Sequence, residues 1–197
     1  MKPFEFDIHK IYGQNKPCIG VFCSSSDEID NIYKSTAEEL GELIARNGYD
    51  LVHGGGKIGL MGVLSRAVQK HGGKVIGILP ESLNIEGIVS DLDDEIIITK
   101  DMTDRKQEIR KRSNAFIVLP GGYGTMEEFF ETTTLIQLNY INKPLVMLNI
   151  NNYYDPLLNF INSAVEKKFI NAQHKNIFYI TTSCKDAIDY INQKLKV

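Results

Sequence analysis

The chain has 197 residues, 43% of them apolar and 24% charged, with a net charge of −3 at neutral pH. That size and balance fit one soluble α/β domain with a substantial core, and they argue against a broad nucleic-acid or membrane-surface role. No stretch approaches the roughly 20 consecutive apolar residues of a spanning helix. Cys18, Cys23 and Cys184 form neither a C-x-x-C pair nor an even framework. They read as small buried hydrophobes, and the reduced cytoplasm is the expected compartment.

Residues 1–16 carry Glu5 and Asp7 and lack the apolar centre of a signal peptide, so they are expected to form an N-terminal arm ahead of a single domain at 17–197. From there short apolar runs alternate with helical patterns. Strands are expected at 18–22, 49–53, 74–79, 95–99, 115–119, 145–149 and 177–180. Helices are expected at 28–47, 57–71, 101–113, 125–140, 153–168 and 185–194. The alternation predicts a single Rossmann-like, doubly wound parallel sheet of about seven strands, with right-handed crossovers and helices on both faces. Ligands of such sheets bind beyond the carboxyl ends of the strands.

The residues just past each strand are therefore informative. After the first strand comes Cys23-Ser24-Ser25-Ser26, whose hydroxyls can cap the next helix or, as at Ser25, donate to a phosphate. After the second comes Gly54-Gly55-Gly56-Lys57-Ile58-Gly59. This satisfies the dinucleotide fingerprint G-x-G-x-x-G, with Glu81 about 20 residues on. An NAD(P) oxidoreductase is one reading, weakened because the turn does not open the first βαβ unit. Lys57 is followed by Ile58, not Ser or Thr, so the turn is no P-loop either.

The segment 104–112 holds five basic and two acidic residues. Such a run suits a solvated helix face with i,i+4 pairs such as Glu108 with Arg112. Asp101 stands where it can cap that helix. Next, the apolar run 115–119 leads into Pro120-Gly121-Gly122-Tyr123-Gly124-Thr125-Met126-Glu127-Glu128. Three glycines bare backbone N–H groups where a helix begins, a natural anion site. Thr125 and Glu128 also fit a capping box. Helical spacing brings Glu131 and Thr134 near Glu127 and Glu128. Asp155 and Pro156 look like a cap and first residue of the next helix. His9, His53, His71 and His174 show no ligand spacing, and no metal site is expected.

The segment 120–128 reproduces the P-G-G-x-G-T-x-x-E motif, and the chain thereby resembles the LOG ("Lonely guy") family of cytokinin riboside 5′-monophosphate phosphoribohydrolases, often mislabelled lysine decarboxylases. The resemblance runs from about residue 18 to 170. It takes in residues 21–26 and 54–62, Arg105-Lys106, and Tyr153-Tyr154-Asp155. It implies a substrate site formed by Gly121, Gly122, Tyr123, Gly124, Thr125, Glu127 and Thr134, walled by Gly54, Gly55 and Gly56. Arg105 and Glu128 would be catalytic, with Lys106 on the nucleotide. The implied ligand is AMP or an N6-prenylated AMP, split into free base and ribose 5-phosphate with no metal or redox cofactor. The family is typically dimeric, and the apolar helix from Phe129 to Leu138 is expected to contribute to the interface. The family's His two residues before the Arg is replaced here by Thr103, which bears on substrate preference more than on the reaction. A non-catalytic nucleotide or cofactor carrier remains the main competing reading. Lysine decarboxylation has no support, since no residue pattern marks a pyridoxal phosphate site.

Overall fold

The computed structural model describes residues 16–196; the expected arm at 1–16 lies almost wholly outside the described residues. Seven strands form one sheet: β1 (Cys18–Phe22), β2 (Asp50–His53), β3 (Val75–Pro80), β4 (Glu95–Thr99), β5 (Ala115–Val118), β6 (Leu145–Leu148) and β7 (Tyr179–Thr181). Every pairing is parallel, in the order β4-β3-β2-β1-β5-β6-β7. The chain runs outward from β1 to β4, then returns to the other side of β1 with β5. That reversal opens a crevice at the carboxyl ends of β1 and β5.

Alternation along the strands divides the core. Val21, Leu51, Ile117 and Val146 face one layer, with α1 (Asn31–Arg46), α2 (Gly59–Lys70) and α6 (Cys184–Leu195). Phe22, Val52, Phe116, Val118 and Met147 face the other, with α3 (Met102–Arg112), α4 (Tyr123–Gln137) and α5 (Asp155–Glu166). β2, β5 and β6 are buried throughout; β5 and β6 read as continuous apolar runs, as suits strands covered on both faces, while β2 carries buried Asp50 and His53 at its ends. β4 and β7, at the edges, are only partly covered.

Three local expectations are corrected. α4 begins at Tyr123 with Gly122 at its N-cap, and no side chain caps it. The Thr125–Glu128 capping box therefore does not form; Thr125 is buried and Glu128 is drawn to a long-range partner. Ser24 and Ser26 do not cap α1, which starts only at Asn31. Their hydroxyls accept from the N–H groups of Ser26 and Glu28 and tighten the preceding loop. Asp155 is the first residue of α5 and not its cap: its Oδ1 accepts from Asn149 Nδ2 at 2.7 Å, while Asn149 Oδ1 takes the N–H of Tyr154. Asp101 does cap α3, accepting from the N–H groups of Thr103 and Asp104 at 2.8 and 2.9 Å.

Candidate active site

The carboxyl ends of β1, β2, β3 and β5 open into one cavity of about 590 Å³. Of the residues the sequence singled out, Ser25, Gly54, Gly55, Gly56, Arg105, Gly122, Tyr123, Gly124, Thr125 and Glu128 line it. Gly121 is buried just beneath: a Cβ there would collide with Thr125 Oγ1 and press on the Ser24 N–H, so its lack of side chain serves packing. Lys106, Glu127 and Thr134 stand outside the wall. Lys106 is ion-paired with Glu127 and, at 3.1 Å, with Glu131, which also meets Arg110 at 2.8 Å. Thr134 is exposed and donates its hydroxyl to Phe130 O within the helix.

The centre of the cavity is an ion pair. Arg105 comes from the first turns of α3 and Glu128 from α4, so Asp101's cap and the open start of α4 aim both side chains at the same crevice. Arg105 Nη1 donates to Glu128 Oε1 at 2.8 Å, and both side chains are only 11% exposed. Arg105 Nε also donates to Ile78 O at 3.0 Å, at the end of β3. Gly54 makes room for this arrangement, since a Cβ there would strike the guanidinium. Burial pushes the Glu128 carboxyl above its ordinary range, and the Arg105 charge and hydrogen bond oppose that rise. Beside it, Cys23 has its thiol raised by burial first and by the Glu128 charge second, so it is no thiolate nucleophile.

The two glycine turns differ in what they offer a ligand. At the first, the N-terminus of α2 is already occupied. Gly59 N–H donates to Asp27 Oδ1 at 2.8 Å and Leu60 N–H to Ser24 O at 3.0 Å. A carboxylate from the protein thus sits where a dinucleotide's pyrophosphate would go. Gly59, at φ +64, lets the Ser24–Ser25 backbone approach. Glu81, the would-be ribose ligand of the fingerprint, is exposed in a short 3-10 turn. At the second turn nothing plugs the helix. Among the described residues, no acceptor meets the N–H groups of Gly122, Tyr123, Gly124 or Thr125, and Tyr123 is 98% exposed. An open helix N-terminus of this kind presents unpaired N–H groups and a positive dipole end, an arrangement suited to an anion.

The remaining wall is apolar and went unread in the sequence. Met61, Leu79, Leu83, Ile88 and Met102 contribute to it. Leu83 and Ile88 belong to a strap, residues 81–94, that has no periodicity to betray it. The strap is laid on the first glycine turn by an antiparallel bridge: Lys57 N–H donates to Ile88 O at 3.1 Å and Ser90 N–H to Gly55 O at 2.8 Å. A buried polar knot locks it. Asp93 Oδ2 lies 2.8 Å from His53 Nε2, and Asp93 Oδ1 accepts from Ser65 at 3.0 Å and Ser90 at 2.8 Å. Burial would raise the Asp93 carboxyl, but the His53 hydrogen bond and charge, with the two hydroxyls, hold it below its usual value. Among the described residues, no group of three or more His, Cys, Asp or Glu side chains could hold a metal ion.

Known proteins resemble this chain over most of its length. A family described as possible lysine decarboxylase matches residues 61–191. The cytokinin riboside 5′-monophosphate phosphoribohydrolase LOG1 of Arabidopsis thaliana is 45% identical over 184 residues, covering 91% of this chain and 86% of its own. The chain belongs to the LOG family. A second LOG relative, the probable phosphoribohydrolase LOGL2 of Oryza sativa subsp. japonica, is 44% identical over 174 residues, 88% of this chain and 71% of its own. Among solved structures, the molybdenum cofactor binding protein of Rippkaea orientalis superposes with a TM-score of 0.70 at 28% identity. That match covers 91% of this chain and 98% of that one. The LOG motif P-G-G-x-G-T-x-x-E thus spans the open helix end and the buried acid that the geometry brings together.

Proposed function

We propose that the cavity hydrolyses the N-glycosidic bond of adenosine 5′-monophosphate or an N6-substituted form of it, the reaction for which the LOG relatives are named. One observation carries the reading: an unplugged helix N-terminus and a buried carboxylate–guanidinium pair share one cavity. The N–H groups of Gly122 to Thr125 hold the 5′-phosphate, with Ser25 beside them. Anchored there, the ribose extends toward Glu128 and Arg105. The C1′–N9 bond breaks with its electron pair leaving on the base, water oxygen bonds to C1′ and gives up one proton, and the base takes up one, so that the net change is addition of water across the bond. The ribosyl cation character that develops is stabilised by the Glu128 carboxylate, which also orients the water. Arg105 fixes the sugar-phosphate and assists departure of the base. Lys106, Glu127 and Thr134, outside the wall of one chain, contribute only by supporting Glu131 and α4. The apolar strap wall receives the base.

No cofactor enters this scheme. A homodimer is part of the proposal, supported by the exposed Phe130 on α4 and Leu138 at its C-cap. The expected contribution of Phe129 is withdrawn, because that ring is wholly buried within its own core. The cytoplasm suits the three free thiols. No helix among the described residues is long and apolar enough to cross a membrane.

The test is incubation of the protein with AMP, N6-isopentenyl-AMP and the two matching nucleosides, followed by chromatography of the products. Free base from a nucleotide, with the nucleosides far slower, supports the assignment; intact nucleotides throughout would refute it. The likeness to the molybdenum cofactor binding protein supports a second reading, a carrier, which predicts binding without any released base.

A further inference from the structure

A helix end attracts an anion only if the turn leading into it directs its N–H groups at the ligand and its carbonyls away. Carbonyl and N–H of one planar trans peptide point in opposite directions, so whatever holds the carbonyl also aims the N–H. Four successive carbonyls of the second glycine turn are each claimed by a donor. Leu119 O accepts from Tyr154 Oη at 2.7 Å, and Pro120 O accepts from Ser24 N–H at 3.2 Å. Gly121 O accepts from Tyr153 Oη at 2.8 Å, and Gly122 O from Met126 N–H at 3.0 Å. Of these four bonds, the Tyr153 one is made to the 121–122 peptide, which carries the Gly122 N–H.

Packing holds that peptide on its Gly121 side, against Thr125 and Ser24, and leaves its Gly122 side open. A Cβ placed on Gly122 or Gly124 would meet nothing within 4 Å, so no neighbour confines the turn at either position. The Tyr153 ring, in contrast, is held. It meets Tyr33 edge-on at 6.0 Å between centroids and Tyr154 at 4.9 Å. Tyr153 itself does not line the cavity.

We propose that Tyr153 is a positioning residue for the phosphate site: its hydroxyl turns the 121–122 carbonyl outward and so presents the Gly122 N–H to the anion. This rests on the reading that the α4 N-terminus takes the 5′-phosphate, and it adds what keeps that site in register before ligand arrives. The hydroxyl never touches substrate.

Tyr153→Phe removes the one bond and keeps both ring contacts. Binding of ribose 5-phosphate and of adenine is measured separately by isothermal titration calorimetry on the full chain. A lost hydrogen bond of ordinary strength corresponds to about a fivefold weakening. The expected result is about a fivefold loss for ribose 5-phosphate with adenine affinity unchanged. With AMP as substrate, KM rises by a similar factor while kcat holds, because phosphate anchoring acts equally on ground and transition states. Unchanged ribose 5-phosphate affinity, or an equal loss for adenine, would overturn the proposal. If the unsubstituted protein binds ribose 5-phosphate yet leaves AMP intact, the proposed reaction fails while the Tyr153 comparison still decides this one. If it binds no ribose 5-phosphate, the phosphate site and this inference fall together.

Discussion

Deleting the Arg105 side chain should make the protein's stability depend on pH in a way that identifies Glu128 as the cause. In the intact protein the two side chains are each 11% exposed and joined at 2.8 Å. Arg105→Ala leaves a buried carboxyl with its burial undiminished and its main opposing charge gone. Breaking a buried pair from one side costs about 3–5 kcal/mol, and the ability of Glu128 to take up a proton favours the lower end. At roughly 2–4 °C per kcal/mol for a domain of this size, Tm near neutral pH should fall by about 6–12 °C. The sign with pH is definite. Glu128 already sits above its ordinary 4.5 in the fold, so its contribution is fully present below that value and is lost as pH rises through the folded pKa. Without Arg105 the folded pKa climbs further, and the loss extends to more alkaline pH. Calorimetric scans from pH 4 to 8 should therefore show the gap between the two proteins widening with pH and narrowing in acid. Arg105→Ala combined with Glu128→Gln should flatten that dependence. A gap of constant size across the range would mean that Arg105 matters only for packing, and the reasoning about a coupled buried pair would be wrong.

Glu128→Gln keeps a hydrogen-bond acceptor for Arg105 but removes the charge, so base release should fall by about 10²–10⁴-fold while the thermal transition stays sharp; near-normal turnover in a chromatographic assay would remove Glu128 from the chemistry. Gly54→Ala places a methyl against the Arg105 guanidinium, at a cost of about 1–3 kcal/mol, and should mimic the loss of activity of Arg105→Ala without removing the residue. Asp93→Asn deprives His53, Ser65 and Ser90 of their ionised acceptor and should cost about 2–3 kcal/mol by urea unfolding. Because Asp93 is held below its ordinary 3.8, its contribution is present above that value and lost as pH falls through its folded pKa, so the deficit should shrink in acid. Fluorescence titration with NADH should show no saturable binding, since Asp27 already occupies the α2 N-terminus that the fingerprint requires; a saturable curve would contradict that.

Sequence alone determined the layered α/β architecture, because strand and helix patterns depend on residues within about a turn of one another. β1 and β4 span the residues expected of them, 18–22 and 95–99, and α3 starts where Asp101 can cap it. The two glycine turns were equally legible, and family resemblance singled out Arg105 and Glu128, which the fold brings together at 2.8 Å. Which turn is open and which is plugged was decided only in three dimensions: the plug, Asp27, arrives from the loop after β1, 32 residues before the N–H it caps. Likewise His53 meets Asp93 across 40 residues and Tyr153 meets Gly121 across 32, pairings created by strand order and crossover direction, which no local pattern encodes. Even the capping box at Thr125 and Glu128 lost to tertiary structure, because a guanidinium brought in from α3 satisfies the buried carboxylate better than the backbone of its own helix could.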